Sequence, residues 1–120
     1  MESLEKVPYN IKHRAYYFAK EIVLFIKVQK YEKVFHSMFD QLLRSATSIG
    51  ANLVEGTAGS SKNDFIKFNV IALKSANETK YWLSLIKDTL AVDGVTVEKF
   101  LKEVDEISKI IASIIIKSRD

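Results

Sequence analysis

The sequence contains no cysteine, one proline and four glycines, and it has no long run of apolar residues. Without cysteine the chain has neither a disulfide nor a thiolate that could bind a metal or attack a substrate, which is typical of proteins in a reducing cytosol. The longest apolar runs, such as 22–26, span five residues. A bilayer-spanning helix needs about 20, and the first residues lack the apolar stretch of a signal peptide. The sequence therefore predicts a cytoplasmic protein without a membrane segment.

Length and composition predict a single domain over residues 1–120. The chain is 48% hydrophobic and 28% charged, which is typical of a globular protein with a real core. Its formal net charge is +3 and its sequence pI is about 9.0. This mild basic bias permits a nucleic-acid partner without requiring one.

Capping residues and breaks divide the chain into four expected helices, at about 11–31, 37–56, 62–91 and 97–118. Polar residues with a short side-chain acceptor favour a helix N-terminus, and glycine favours its end. The expected N-terminal signals are Asn10, Ser37 with Asp40, Ser61 with Asp64, and Thr96, and the expected stop of the second helix is Gly56 with Gly59.

Apolar residues recur at alternating intervals of three and four along each helix. On the first helix the positions are Ile11, Ala15, Phe18, Ile22 and Phe25, and the other three helices repeat the pattern. This spacing is typical of left-handed helix packing. With short connections it predicts an all-α fold, an antiparallel, up-down-up-down, left-handed four-helix bundle.

The first and fourth helices are apolar over more than one face. The extra residues are Tyr16, Tyr17, Val23, Leu24 and Val28 on the first, and Leu101, Ile110, Ile115 and Ile116 on the fourth. A bundle core needs a stripe only about 100° wide, and surplus apolar surface often marks a subunit contact. We expect a homo-oligomer; the alternative is a monomer with an apolar surface.

The second helix carries a polar face in the stretch RSATSIGANLVEGT, residues 44–57. Ser45, Ser48, Asn52 and Glu55 recur every three or four residues there, and Ser75 and Thr79 interrupt the apolar positions of the third helix. One interpretation is a hydrogen-bonded layer between these two helices. The other is a ligand or partner surface built on Arg44, Ser48, Asn52 and Glu55.

These residues also carry a family resemblance. The segment QLLRSATSIGANLVEG (41–56), with the later Ser61, Lys62, Asp64, Phe65, Phe68, Ala72, Ser75 and Glu78, resembles the four-helix-bundle proteins encoded in intervening sequences of bacterial 23S ribosomal RNA genes. That family also includes the accessory protein Avd of diversity-generating retroelements. Gly50 and the pair Leu53 and Val54 depart from the family pattern without affecting the expected fold.

The resemblance implies properties that the residues alone do not. Family members can assemble as pentamers, and the retroelement type binds a reverse transcriptase and nucleic acid through a basic surface. The expected partners are therefore further copies of the chain, RNA or DNA, and a reverse transcriptase.

Basic residues are concentrated in the first helix. Residues 9–33 hold six Lys or Arg against two Glu, a local charge of +4. His13, Lys20 and Lys27 are spaced by seven, and Lys67 and Lys74 repeat this spacing on the third helix. We expect nucleic acid to contact Arg14, Lys20, Lys27, Lys30, Lys67 and Lys74, since lysines on one helix face can neutralise several phosphates together. The alternative is an ordinary solvated face.

No residue pattern indicates catalysis, and no cofactor or metal is expected. Glu32 and His36 lack an evident third ligand, and a catalytic metal site needs about three. No serine has a histidine and a carboxylate placed to activate it. The leading hypothesis is a non-enzymatic, oligomeric nucleic-acid-binding accessory protein. The alternative is a protein–protein scaffold that docks its partner on the polar face of the second helix.

Overall fold

The computed structural model describes residues 10–59 and 61–120, which form four α-helices. They are α1 (Ile11–Lys27), α2 (His36–Ala58), α3 (Lys62–Thr89) and α4 (Gly94–Ser118), with a single 3-10 turn, Lys33–Phe35, before α2. No helix in these two ranges is both long enough and apolar enough to cross a bilayer. The expectation about a signal peptide concerns residues 1–9, which lie outside the described ranges.

The helices pack around one core, which confirms the predicted all-α four-helix bundle. α2 and α4 each pack against both α1 and α3, whereas no Cα atoms of α1 and α3 lie within 8 Å of each other in the described part of the chain. Ser45 pairs with Thr79 and Ser48 with Ser75, so α2 and α3 run in opposite directions. The left-handed crossing stays a prediction.

The core contains most of the residues that the three-and-four spacing selects. On α1 four of the five predicted positions, Ala15, Phe18, Ile22 and Phe25, are buried, and Ile11 is half-buried. Phe100 of α4 is half-buried and meets the rings of Phe18 and Phe25 edge-on, with centroids 6.1 and 5.4 Å apart. Ile115, predicted to be surplus surface, is only 5% exposed and belongs to the core.

Two of the predicted N-caps are confirmed. The Asn10 side chain accepts a hydrogen bond from the backbone N–H of His13 at 3.3 Å. The Ser61 hydroxyl accepts one from the N–H of Asp64 at 3.1 Å. Both side chains satisfy a backbone donor that the first helical turn leaves without an intrahelical partner.

Two other predicted helix starts are wrong. Ser37 lies inside α2, because the 3-10 turn leads directly into the helix at His36. Thr96 lies inside α4, where Asp93 is the N-cap. The Asp93 carboxylate accepts from the N–H of Val95 at 3.3 Å and from the Thr96 hydroxyl at 2.6 Å. Thr96 therefore supports the cap instead of forming it, and the pKa of Asp93 is lowered chiefly by that hydroxyl.

The first helix ends at Lys27, four residues before the predicted end at about 31. The carbonyl of Phe25 accepts from the side-chain amide of Gln29 at 2.8 Å. The backbone N–H of Gln29 bonds to Ile26 instead, three residues back. The side chain thus occupies the carbonyl that a further α-helical turn would have used.

The prediction that Gly56 ends the second helix is wrong. Gly56 is buried inside α2, and a Cβ atom built there would lie 3.2 Å from Cβ of Phe68 on α3. The helix continues to Ala58, with Gly59 as its C-cap. Gly56 therefore allows the two backbones to approach closely, while Gly59 alone stands at the helix end.

Candidate nucleic-acid interface and the polar layer beside it

The outward face of α1 carries a strip of exposed residues that alternate between basic and apolar or aromatic. We call this the outer strip; its members are His13, Tyr17, Lys20, Leu24 and Lys27, all exposed. They follow one another at intervals of four and three residues. Each of the last four lies two positions after a buried residue of the same helix. The helical period therefore places them on the side opposite the core.

The two lysines of the outer strip are exposed, and no carboxylate of the described residues neutralises them. Neither Lys20 nor Lys27 lies within ion-pair distance of a carboxylate in the described ranges. The Lys20 ammonium lies 6.0 Å from the ring centroid of Tyr17, at the limit of a cation–π contact. Glu21 is an exposed acidic neighbour on this helix. The strip thus presents positive charge to solvent.

Arg14, also predicted to contact nucleic acid, is held inside the bundle by α4. Its guanidinium donates two hydrogen bonds to the carboxylate of Glu103, at 2.7 and 2.9 Å, and lies 3.7 Å from Glu106. Its side chain is only 16% exposed. The bond to Glu103 raises the pKa of Arg14. Arg14 therefore joins two helices, and its charge is already compensated.

The other predicted basic residues do not join the outer strip. Lys67 and Lys74 are exposed on α3, which sits diagonally across the bundle from α1. Lys30 follows the end of α1 and lies beside Tyr31 and Phe35 at one end of the bundle. The structure brings Lys20 and Lys27 together on one face and places Lys67 and Lys74 on another.

An apolar groove runs between α1 and α2 along one side of the outer strip. It has a volume of about 660 Å³ and is lined mainly by apolar and small residues. The lining includes Ala15, Tyr16, Val23, Gly50 and Val54. Of the surplus apolar residues predicted on α4, by contrast, Ile116 is exposed and Leu101 and Ile110 are half-buried. The larger surplus therefore lies on α1.

The polar face of α2 forms a hydrogen-bonded layer with α3. The Thr79 and Ser75 hydroxyls bond across the interface to the Ser45 and Ser48 hydroxyls, at 3.0 and 2.9 Å. Asn52 donates to the Ser48 hydroxyl at 2.9 Å and to the Ser48 carbonyl at 2.8 Å. No buried side-chain N or O atom in the described ranges lacks a partner. The first interpretation, a layer between helices, describes this arrangement.

The charged residues of that stretch lie outside the layer. Arg44 is exposed and pairs with Asp40, one turn earlier, at 2.9 Å, which raises its pKa. Glu55 is exposed and lines the apolar groove. Ser48 bonds to Ser75 of α3 and Asn52 bonds to Ser48, so these two side chains take part in the layer, whereas Arg44 and Glu55 are exposed. A binding surface built on Arg44, Ser48, Asn52 and Glu55 stays a prediction.

A second polar contact, between α3 and α4, was not predicted. The Lys80 ammonium lies 3.0 Å from a carboxylate oxygen of Asp105 and 2.9 Å from the Ser108 hydroxyl. Lys80 and Lys109 lower the pKa of Asp105. Opposite charges at helix edges occur in most bundles, so the sequence offers no signal that would single out this pair. No group of three His, Cys, Asp or Glu in the described residues could hold a metal ion.

Comparisons with known proteins agree with this architecture. The family model described as 23S rRNA-intervening sequence protein matches residues 8–113. Four chains of solved structures match, among them a protein of unknown function from the S23 ribosomal protein family of Bacteroides thetaiotaomicron. The two sequences are 41% identical over 88% of this chain and 97% of that one, with a TM-score of 0.81. A search of curated proteins finds no match.

Proposed function

Because the chain belongs to the 23S rRNA-intervening sequence protein family, we propose that it is a non-enzymatic, oligomeric accessory protein that binds nucleic acid through the outer strip of α1. The family model and the solved relative carry names of ribosomal and intervening-sequence proteins, with no activity attached. The observation that carries the proposal is the exposed charge of Lys20 and Lys27, neither of which pairs with a carboxylate of residues 10–59 or 61–120.

The chemistry of these side chains defines the kind of binding. Lysine acts as a compact point charge towards phosphate, and such contacts position a protein on a nucleic acid without reading its bases. Binding through Lys20 and Lys27 is therefore independent of sequence and sensitive to salt, because each neutralised phosphate releases counterions.

The proposal includes assembly of several copies, with a pentamer favoured by the family resemblance. The groove between α1 and α2 supports it, since the exposed Val23 and Val54 leave an apolar concavity in the single chain. Burial of such surface is the usual driving force for association. Repetition of the outer strip around an oligomer multiplies the number of phosphates that can be neutralised together.

The resemblance to the retroelement accessory protein extends the proposal to a reverse transcriptase as protein partner. The scaffold alternative, in which the polar face of α2 docks a partner, has less support. Ser48 and Asn52 already form hydrogen bonds within the polar layer beside α3.

A gel-shift titration with structured RNA at low and moderate salt tests the proposal. We expect Lys20→Gln with Lys27→Gln to weaken binding similarly for unrelated sequences and to flatten the salt dependence by about one unit of slope per lost phosphate contact. The matched control is Lys99→Gln with Lys102→Gln on α4, where both lysines are exposed. Lys67→Gln with Lys74→Gln tests the face on α3 separately.

Two outcomes would contradict the proposal. Absence of binding by the native protein at low salt, where electrostatic attraction is strongest, would favour the scaffold alternative. An equal loss in the control pair would show that overall charge, and not the outer strip, is responsible. Light scattering tests assembly. A mass of 13.7 kDa, that of one chain, would contradict the oligomeric part of the proposal.

A further inference from the structure

The outer strip places an aromatic ring among its positive charges. Tyr17 is 47% exposed, and its hydroxyl makes no hydrogen bond to another described residue. Its ring meets Tyr16 edge-on, with centroids 5.7 Å apart, and Lys20 lies 6.0 Å from its centroid. Tyr17 therefore keeps part of its ring exposed to solvent.

We infer that the outer strip binds single-stranded nucleic acid in preference to a duplex, an inference that rests on the proposed function. An unpaired base stacks on Tyr17, and phosphates lie beside Lys20 and Lys27. A nucleotide offers a flat base and a charged phosphate, and the strip offers a ring and ammonium groups along one helix face. Base stacking on an aromatic ring tolerates any sequence, because every base has a flat face. In a duplex the base faces are already stacked on their neighbours, and the base edges are paired.

The position of Tyr17 separates this role from that of the groove. Tyr16, one residue earlier, lines the groove between α1 and α2, whereas Tyr17 does not. On a helical wheel Tyr17 falls on the opposite side of Lys20 from Tyr16. Lys20 lies between them on the wheel and also lines the groove. A second copy seated in the groove therefore leaves the ring of Tyr17 open and lies beside Lys20.

The test compares a single-stranded oligouridylate with a blunt RNA duplex of the same length, by fluorescence anisotropy on the full chain. We expect the native protein to bind the single strand more tightly. Tyr17→Leu should weaken single-strand binding by roughly 5-fold or more, the loss that follows when one stacked base is released, and should leave duplex binding unchanged. Tyr17→Phe should retain native binding, because it keeps the ring. Tyr81→Leu is the control, since Tyr81 is also an exposed tyrosine (60%, against 47% for Tyr17) on the diagonally opposite helix α3.

The outcomes distinguish a failure of base stacking on Tyr17 from a failure of nucleic-acid binding as such. If the native protein binds neither RNA, the proposed function fails. If it binds both equally and Tyr17→Leu changes nothing, the proposed function stands and the stacking role of Tyr17 is wrong. The inference also falls if Tyr81→Leu costs as much as Tyr17→Leu. It falls as well if Tyr17→Leu lowers the mass seen by light scattering, because the strip is then a contact between copies of the chain.

Discussion

The hydroxyl of Ser75 donates a hydrogen bond to the hydroxyl of Ser48 across the interface between α3 and α2, at 2.9 Å. Ser48 also accepts from the amide of Asn52, so one small side chain joins two polar groups from two helices. Such pairing fixes the register of the two helices, since sliding by one residue would break the hydroxyl–hydroxyl bonds that cross between them. The polar stretch of α2 is therefore compatible with a packed helix.

Removal of the shared acceptor should destabilise the bundle. Ser48→Ala leaves the Ser75 hydroxyl without its acceptor on α2 and removes one of the two acceptors of the Asn52 amide, in a partly buried site. We expect a loss of about 1–3 kcal/mol in the free energy of unfolding. Urea denaturation monitored by circular dichroism measures it. Ser113→Ala, at an exposed position of α4, is the control and should change little. An unchanged stability in Ser48→Ala would reopen the interpretation of this face as a binding surface.

The ion pair between Arg14 and Glu103 should contribute to stability more than a typical surface pair. Its two short hydrogen bonds and partial burial favour a coupling energy of about 1–3 kcal/mol in a double-mutant cycle of Arg14→Met and Glu103→Gln. The exposed pair of Arg44 and Asp40 provides the comparison and should couple far more weakly, since solvent screens it. Equal coupling in the two cycles would show that burial adds nothing to the Arg14 pair.

Two helical glycines should respond differently to substitution. A Cβ atom at Gly50 would meet Ala15 at 3.5 Å, an ordinary contact. Gly50→Ala should therefore stabilise the protein by about 0.5–1 kcal/mol through helix propensity. At Gly56 the space is already occupied by Phe68, so Gly56→Val should force α2 and α3 apart and cost about 1–3 kcal/mol. Thermal melts of both variants decide the matter, and a stabilised Gly56→Val would contradict the close approach.

The lowered pKa of Asp105 should make the stability depend on pH in the acid range. Lys80 and Lys109 favour the ionised carboxylate in the folded state, so its folded pKa lies below its unfolded pKa. The resulting stabilisation is complete above the unfolded pKa of about 3.9 and is lost as the pH falls through the folded pKa. Asp105→Asn should reduce the acid-induced loss of stability, measured by urea denaturation between neutral pH and acid. If the stability of Asp105→Asn depended on pH in the same way as that of the native protein, the role of Asp105 would be contradicted.

Much of the fold follows from apolar spacing, but little of the interface follows from charge. The core positions of α1, such as Ala15 and Ile22, were predictable because a helix buries one face at a fixed period. Helix ends were less predictable, because Asp93 and Thr96 are both good capping residues and the chain uses the first. Arg14 looked like the other basic residues of its helix, and only the position of α4 determines that its charge is compensated. Pairing across helices is a three-dimensional property that one-dimensional spacing does not contain.

The order of the helices around the bundle also has a kinetic consequence. The α1–α2, α2–α3 and α3–α4 pairs join neighbours in the chain, so each forms a hairpin by closing a short connection. The packing of α1 on α4 is different, because Arg14 and Glu103 are 89 residues apart. Chains dominated by local pairing fold within about microseconds to milliseconds, and closing the longest loop carries the greatest entropic cost. The helix that bears the outer strip is therefore the one whose final docking, against α4, should come last during folding.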